Sequence, residues 1–196
     1  MKNQLSAHQF KEVYEGLGLN LSTLGCVMLD VEPLKNMYSF GREIDGVALY
    51  YAKDKSRFWI NGWVVDKLAH VTLLYGLIQT AKNYEKHIAQ VMSGWECPEV
   101  EVEDIGFFPS PYPDEPYYCI VAHIKADEKL LEGHQRLQFL PHVDTFAGYK
   151  IHMTICYLAA ELGEKYRDEM IEQFKTMWVG KKLKTKMPLN LGGDKK

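Results

Sequence analysis

The sequence predicts an α+β protein built from two related lobes with a cleft between them. The segments HVTLLYG at 70–76 and HMTICYL at 152–158 are similar, and each precedes a stretch with apolar residues at helical spacing. A strand and a helix cannot bury both of their apolar faces alone, so two such units are expected to pack together. The 196 residues suit a single domain, 1–196, with lobes at about 25–110 and 111–190.

Runs of β-branched and aromatic residues between turn residues predict the strands of the first half. They lie at 26–32, 47–52, 57–65 and 68–76, and the second and third of them form a hairpin across KDKS. Apolar residues at helical spacing predict a helix over 77–92. Residues 1–24 are interpreted as a short helix with an irregular lead-in, and residues 34–46 as mixed.

The second half repeats the alternation of strands and helices. Its predicted strands are 100–108, 117–126 and 149–158, and its predicted helices are 128–140 and 164–178. The proline-rich turn SPYPDEP at 110–116 is the candidate junction between the halves. Residues 181–190 are expected to form a last edge strand, with its lysines solvated and the final GGDKK frayed.

Composition indicates an ordinary globular protein, with 46% hydrophobic and 25% charged residues. No apolar run approaches the ~20 residues of a membrane-spanning helix, and the N-terminus lacks the apolar segment of a secretory leader. We therefore expect a cytoplasmic protein with no membrane partner. The net charge of −3 argues against a coat for long nucleic acid and favours a small substrate in a local pocket. The oligomeric state stays open.

The cysteine pattern indicates no metal site. Cys26, Cys97, Cys119 and Cys156 form no CxxC pair and are expected to be buried reduced thiols. Clustered Cys or His ligands at the short spacing of zinc sites do not occur in the sequence. We expect the protein to use no metal and no cofactor.

Two short patterns of histidine, apolar residue and threonine stand out. Alternate side chains of a strand share a face, so His70 and Thr72 point one way, and so do His152 and Thr154. The residues between and after them are apolar and point to the other face. Two such strands side by side would present two imidazoles and two hydroxyls around a volume that suits a phosphate.

This set of side chains suits the cleavage of a phosphodiester without a metal. One group must deprotonate the nucleophile and another must protonate the leaving oxygen, and the ordinary pKa of histidine serves both tasks near neutral pH. We therefore expect His70, Thr72, His152 and Thr154 to be catalytic. The competing interpretation is a pair of structural histidines on half-buried strands. Repetition of the whole unit, with a tyrosine at the same offset and a helix after it, disfavours that alternative.

The segments HVTLLYG and HMTICYL resemble the two signature motifs of the 2H phosphoesterase superfamily, which includes the LigT-like RNA cyclic phosphodiesterases. The resemblance implies a bilobal, pseudo-two-fold fold with two antiparallel sheets lining a central cleft and helices outside. It also implies that His70, Thr72, His152 and Thr154, which match the functional positions of the family, meet a phosphodiester or cyclic phosphate. Family members act on 2′,3′-cyclic phosphates, on 2′–5′ linkages or on cyclic nucleotides.

The first motif looks most like that of the phage anti-CBASS phosphodiesterases, which destroy cyclic-oligonucleotide alarm signals. The leading expectation is a metal-independent phosphodiesterase of cyclic nucleotides or cyclic oligonucleotide second messengers, acting in the host cytoplasm if of phage origin. One alternative is a 2′,3′-cyclic phosphodiesterase that acts on RNA ends. Another, from a different class, is a non-catalytic cyclic-nucleotide sponge. The sequence does not decide whether a ribose 2′-OH or water is the nucleophile, or which histidine is the acid.

Candidate substrate-binding residues surround the two motifs. Lys150 shares the face of His152 by alternation and could pair with a phosphate. Aromatic residues near turns could stack on a base, and the first choices are Trp59, Phe107 and Tyr112. Further phosphate contacts with less support are Arg42 and Arg136, whereas two other histidines are interpreted as structural, namely His123 and His142.

Overall fold

The computed structural model describes residues 24–65, 69–78, 81–144 and 148–187. Its strands are β1 Gly25–Glu32, β2 His70–Leu77, β3 Val100–Pro109, β4 Tyr117–Ile124, β5 His152–Ala159 and β6 Lys182–Lys186. Its helices are α1 Lys35–Gly41, α2 Glu85–Val91, α3 Glu128–Leu137 and α4 Gly163–Trp178. The helix predicted within 1–24 and the GGDKK end lie outside the described residues, apart from Leu24.

The six strands form one closed antiparallel sheet in the order β1-β2-β5-β4-β3-β6, with β6 bonded back to β1. The chain is α+β, as predicted, but one sheet takes the place of the two expected sheets. The reason is that β6 pairs with strands from both halves, β1 and β3, while β2 pairs with β5. The expected two-fold symmetry of the lobes stays a prediction.

Most predicted elements are confirmed with shifts at their ends. The strands at 26–32, 68–76, 100–108, 117–126 and 149–158, the edge strand within 181–190 and the helices at 128–140 and 164–178 all form. The helix predicted over 77–92 is shorter, because β2 continues to Leu77. After that strand, a 3-10 turn at Ala81–Tyr84 leads into α2.

The two motif-bearing strands meet at one described position and then diverge. Val71 lies opposite Met153. Beyond this pair the edge of β5 is bonded to residues 49–64, which we call the wedge segment; Tyr50 N–H, for example, donates to Tyr157 O at 2.8 Å. β2 and β5 run in opposite directions and both begin near this pair, so the later part of β5 lies beside the wedge segment, which precedes β2 in the chain. The two strands therefore touch near the start of each.

The two runs predicted as a hairpin, 47–52 and 57–65, pair antiparallel at Tyr51 and Asn61, but neither run forms a continuous strand. The wedge segment makes isolated bridges instead, which are Leu49 with Leu158, Tyr51 with Asn61 and Trp63 with Cys156. A 3-10 turn at Gly46–Ala48 occupies the start of the first run, and another at Lys55–Arg57 reaches the start of the second. Gly62 adopts a φ of 52°, a left-handed conformation that breaks the extended path of the second.

Helix α1 lies within 34–46, a region for which the sequence predicts neither a strand nor a helix. It has seven residues, too few for helical periodicity to be recognised. Its last residue, Gly41, lies against the indole of Trp63, and a Cβ at this position would overlap that ring. Packing of Gly41 against Trp63 of the wedge segment therefore accounts for a helix that the local sequence does not predict.

One face of β2 and one face of β5 belong to the core. Val71, Leu73, Met153 and Ile155 are all fully buried and share a cluster with Phe174 of α4. Burial of a side chain of this size stabilises the fold by ~1.5–3 kcal/mol. A slip of one residue in either strand would turn this apolar face outward, so the core holds the register of both motifs.

The basic stretch after α4 is matched by acidic residues across the sheet. The directly opposed pairs are Lys182 with Glu101, Lys184 with Glu32 and Lys186 with Asp30. Opposite charges in such pairs stabilise a sheet by ~0.2–1 kcal/mol.

All four cysteines are free thiols, one buried and three partly buried. Within the described ranges, no helix has the length and apolarity needed to span a membrane.

Candidate active site

The structure brings the two His-x-Thr units together on one face of the sheet. His70, Thr72, His152 and Thr154 are each partly exposed, whereas the residue between each pair is fully buried. Because β2 and β5 are antiparallel and pair at that middle residue, each histidine lies beside the threonine of the other strand. Residues opposed in this way have Cβ atoms ~4.5–5.5 Å apart. Four polar side chains thus surround one small area.

The imidazole of His152 is oriented by the backbone just before β5. Its Nδ1 lies 2.9 Å from the carbonyl oxygen of Lys150. A carbonyl oxygen can accept but not donate, so Nδ1 carries a proton and donates it to this bond. In the neutral ring the lone pair is then on Nε2, the nitrogen that a general base would use.

Burial lowers the pKa of His152 below its ordinary value, and the neighbouring imidazoles of His123 and His70 lower it further. Desolvation is the larger cause, since it disfavours the charged ring. The hydrogen bond to Lys150 O acts in the opposite direction. The neutral form of His152 is therefore favoured near neutral pH, which is the form that can accept a proton.

Two further residues lie beside His152. His123 of β4 is directly opposite it in the sheet. The ring of Phe108 contacts His152 edge to face, with centroids 5.1 Å apart, and its centroid is 6.1 Å from that of His123. The sequence pattern predicts a structural role for His123 and favours Phe107 over Phe108 as a residue that stacks on a base. The pairing of β3, β4 and β5 was the missing information, because alternation within one strand does not say which strands are neighbours.

Side chains replace β5 as hydrogen-bond partners where β2 leaves it. The Tyr149 hydroxyl donates to Thr72 O at 2.9 Å, and His134 Nδ1 donates to Leu73 O at 2.6 Å. The rings of Tyr149 and His134 stack with centroids 3.9 Å apart. Buried carbonyl groups need partners, and these two supply them. They therefore hold β2 in place directly after its motif.

Thr154 has a thiol as its neighbour. Cys119 Sγ lies 3.9 Å from Thr154 Oγ1. Burial raises the pKa of Cys119 to about 11, so the thiol stays protonated near neutral pH. The contact leaves the threonine hydroxyl able to donate to a substrate oxygen, since the S–H group can act as the weak donor in it.

The four predicted substrate-binding residues lie in different places. Lys150 is exposed and adjoins the site through its carbonyl contact with His152. Trp59 is 44% exposed at the tip of the wedge segment, against Phe58. Tyr112 lies under the guanidinium of Arg57, 4.1 Å from ring centroid to Cζ. Among the described residues, no contact joins Trp59 or Tyr112 to His70 or His152.

Phe107 faces away from the histidines. Its ring contacts Tyr118 and lies 4.1 Å from Cζ of Arg167 on α4, whereas the next residue, Phe108, contacts His152. Neighbouring strand residues point to opposite faces, which explains the difference. Of the weaker candidates, Arg42 is exposed after α1. Arg136 and His142 bond to backbone carbonyls at 2.9 and 2.8 Å.

No family model and no curated protein matches the sequence. Among solved structures, the chain is similar to Usb1 of Kluyveromyces marxianus in two structures, one of them with uridine monophosphate. The identity is 11% in both, with 88% of this chain and 98% of that chain covered and TM-scores of 0.48 and 0.49. A likeness at this level does not show a shared family or activity. The expected kinship with anti-CBASS enzymes stays a prediction.

Proposed function

We propose that the protein is a metal-independent phosphodiesterase that acts on a nucleotide. The observation that carries this proposal is the antiparallel contact of β2 and β5, which sets the imidazole of each motif beside the hydroxyl of the other. Two groups that can move protons and two that can donate hydrogen bonds then surround one phosphate-sized area. His70, Thr72, His152 and Thr154 keep the catalytic roles expected from the sequence.

The environment of His152 favours it as the general base. Its neutral Nε2 takes a proton from the attacking water as the new P–O bond forms, because the 2′ oxygen of a 2′,3′-cyclic phosphate is already bonded to phosphorus and cannot attack. The bond from phosphorus to the leaving oxygen breaks, and that oxygen takes a proton from protonated His70. The hydroxyls of Thr72 and Thr154 donate to the non-bridging oxygens, where negative charge grows in the transition state.

The substrate that we propose is an RNA end or short oligonucleotide with a 2′,3′-cyclic phosphate. The four side chains converge on a single position, which suits recognition through one phosphate. Cyclic oligonucleotide signals, and a phage role in disarming them, stay a prediction from the sequence, with no described contact that favours them.

A product assay in EDTA tests the proposal. We expect RNA ending in a 2′,3′-cyclic phosphate to be opened to a single monoester, with little turnover of cyclic di- and trinucleotides. The variants His70→Gln and His152→Gln should each lower kcat/KM by at least ~100-fold. The control is His87→Gln, the same change at an exposed histidine of α2.

Each of the other possible results of the product assay leads to a different conclusion about the function. Turnover of cyclic oligonucleotides alone would restore the leading expectation from the sequence. Binding of a nucleotide without any product would support the sponge and overturn the enzyme. Loss of activity in EDTA would contradict a metal-independent reaction. Full activity in both motif variants would show that the site lies elsewhere.

A further inference from the structure

Both motif strands carry the same irregularity directly after the threonine. In β2, Leu73 is an extra residue, because the partner on β1 changes by only one residue between Thr72 and the second residue after it. In β5, Ile155 is extra in the same way, because the partner on β4 changes by one residue over the same step after Thr154. An extra residue of this kind is a β-bulge, and it shifts the alternation of side chains by one position.

The bulge returns the third residue after each threonine to the face of that threonine. This residue is a tyrosine in both motifs, Tyr75 in β2 and Tyr157 in β5. The two residues between the threonine and the tyrosine are buried in each strand, as the shifted alternation requires. In β5 the thiol of Cys119 lies 3.9 Å from Thr154 Oγ1 and also hydrogen-bonds with the hydroxyl of Tyr157. The face of the candidate site therefore extends to both tyrosines.

The two tyrosines differ in what covers them. Tyr157 is buried, with its backbone bonded to the wedge segment and its ring centroid 5.2 Å from that of Tyr117. Tyr75 is 40% exposed. Its partner on β1 is Cys26, two residues before the partner of Thr72, which again places Tyr75 on the face of that threonine. The wedge segment thus covers the tyrosine of one motif and leaves the tyrosine of the other accessible.

A second phenol lies close to Tyr75. Burial raises the pKa of Tyr75, and the neighbouring groups of Cys26 and Tyr112 raise it further, an effect that requires proximity. One face of the Tyr112 ring is covered by the guanidinium of Arg57, 4.1 Å from the centroid. That guanidinium donates to both carboxylate oxygens of Asp114 at 3.0 and 2.9 Å, so its charge is already paired. What this side of the site offers a ligand is aromatic surface.

We propose that Tyr75 is a substrate-binding residue whose ring stacks on the base of the nucleotide that carries the scissile phosphate, with Tyr112 at the rim of this subsite. Three steps along a strand span ~10 Å. Tyr75 is thus about as far from a phosphate at Thr72 as a base is from the phosphate of its own nucleotide. Aromatic rings stack on every base, so the subsite recognises a nucleotide with little preference among bases. The inference deepens the proposed function and rests on it, because it takes Thr72 as a phosphate contact.

Calorimetric titrations of the full chain in EDTA test this subsite. The probes are adenosine 2′- and 3′-monophosphate, the two possible products, and inorganic phosphate, which has no base. In Tyr75→Ala the nucleotides should bind ~5- to 100-fold more weakly, the range for loss of one base–aromatic stack, while phosphate binds as in the wild type. Tyr75→Phe keeps the ring and should bind nucleotides within about twofold of the wild type. The control Tyr51→Ala changes an exposed tyrosine of the wedge segment and should leave both affinities unchanged.

The wild type supplies a measurement that needs no folded variant. The ring-proton resonances of Tyr75 should move upfield when a nucleotide binds, because a stacked base shields them, and should stay in place when phosphate binds. The inference is overturned if they stay in place at saturating nucleotide, or if the wild type binds no nucleotide. It is overturned too if Tyr75→Ala binds nucleotides as tightly as the wild type, or loses affinity for phosphate to the same extent.

Failure of the proposed function gives a different result. A wild type that turns over no phosphodiester, yet binds nucleotides through Tyr75, would refute the phosphodiesterase and leave the subsite standing. An active enzyme whose KM and nucleotide affinity are unchanged in Tyr75→Ala would refute the subsite and leave the phosphodiesterase standing. The two hypotheses are therefore judged separately.

Discussion

Val71 of β2 lies directly opposite Met153 of β5, and both side chains are fully buried. Each follows the histidine of its motif and precedes the threonine. Because side chains alternate along a strand, burying these two residues turns all four polar side chains to the opposite face. The geometry of the candidate site therefore depends on two residues that take no part in the chemistry.

Truncation of this contact should lower both stability and activity. Met153→Ala leaves a cavity in the core, and we expect the free energy of unfolding in urea to fall by ~2–5 kcal/mol. The control Leu131→Ala changes a residue that is 39% exposed on α3 and should cost less than ~0.5 kcal/mol. Equal values for the two variants would show that the contact does not hold the strands together.

The threonine hydroxyls should matter for turnover while leaving the fold unchanged. Thr72→Val and Thr154→Val keep the shape of the side chain and remove a hydrogen bond to a charged oxygen, a loss of ~1.5–3 kcal/mol. Steady-state kinetics should show kcat/KM lower by ~10- to 100-fold in each. The control is Thr176→Val on the exposed face of α4. Wild-type kinetics in both motif variants would exclude the hydroxyls from phosphate binding.

The lowered pKa of His152 should make stability depend on pH. The unfolded chain binds a proton near the ordinary histidine pKa of ~6.5, whereas the folded chain resists it. Stability from the neutral ring is thus present above that pKa and is lost as the pH falls toward the folded value. Urea midpoints from about pH 7.5 to about pH 5 should fall more steeply in the wild type than in His152→Gln. Parallel curves would contradict the shift.

The wedge segment is tied to the turn at 110–116 by a buried carboxylate. Glu115 is fully buried and accepts hydrogen bonds from Tyr50 Oη at 2.5 Å and from the backbone N–H groups of Lys53 and Asp54 at 3.1 and 2.9 Å. The bond from Tyr50 is the main reason that the pKa of Glu115 is lowered.

Loss of the Tyr50 hydroxyl should loosen this anchor. Tyr50→Phe removes a hydrogen bond to a charged group, and we expect unfolding in urea to require ~1.5–3 kcal/mol less. Tyr51→Phe, at a neighbouring residue that is 56% exposed, is the matched control. Because the pKa of Glu115 is lowered, its contribution is present above the ordinary carboxyl pKa and is lost as the pH falls through the folded value. A variant as stable as the control would show that the anchor is dispensable.

Gly41 should not tolerate a methyl group. In Gly41→Ala the new Cβ would overlap the Trp63 ring, and overpacking of this kind costs ~1–3 kcal/mol. Gly46→Ala is the control, because nothing lies within 4 Å of a Cβ at that position. Thermal melts of the two variants compare them directly. A higher melting temperature for Gly41→Ala than for Gly46→Ala would contradict the packing of α1 on the wedge segment.

Much of the fold was predictable because its signals are local. The alternation at 70–76 and 152–158 marked two half-buried strands and assigned His and Thr to one face, as the burial confirms. The wedge segment shows the limit of such signals. Its apolar runs have strand composition, yet tertiary contacts with β5 and the left-handed Gly62 determine an irregular path.

The sequence by itself determined which side chains alternate, where the strands and the longer helices lie, and that two similar units recur. The tertiary structure alone decided that one closed sheet joins the halves and that Val71 meets Met153. It also decided that His123 and Phe108, rather than Phe107, lie beside His152. The physical reason is the separation along the chain over which each kind of interaction acts. Alternation depends on neighbours within a few residues, whereas pairing depends on contacts between segments far apart in the chain, and no local pattern records those.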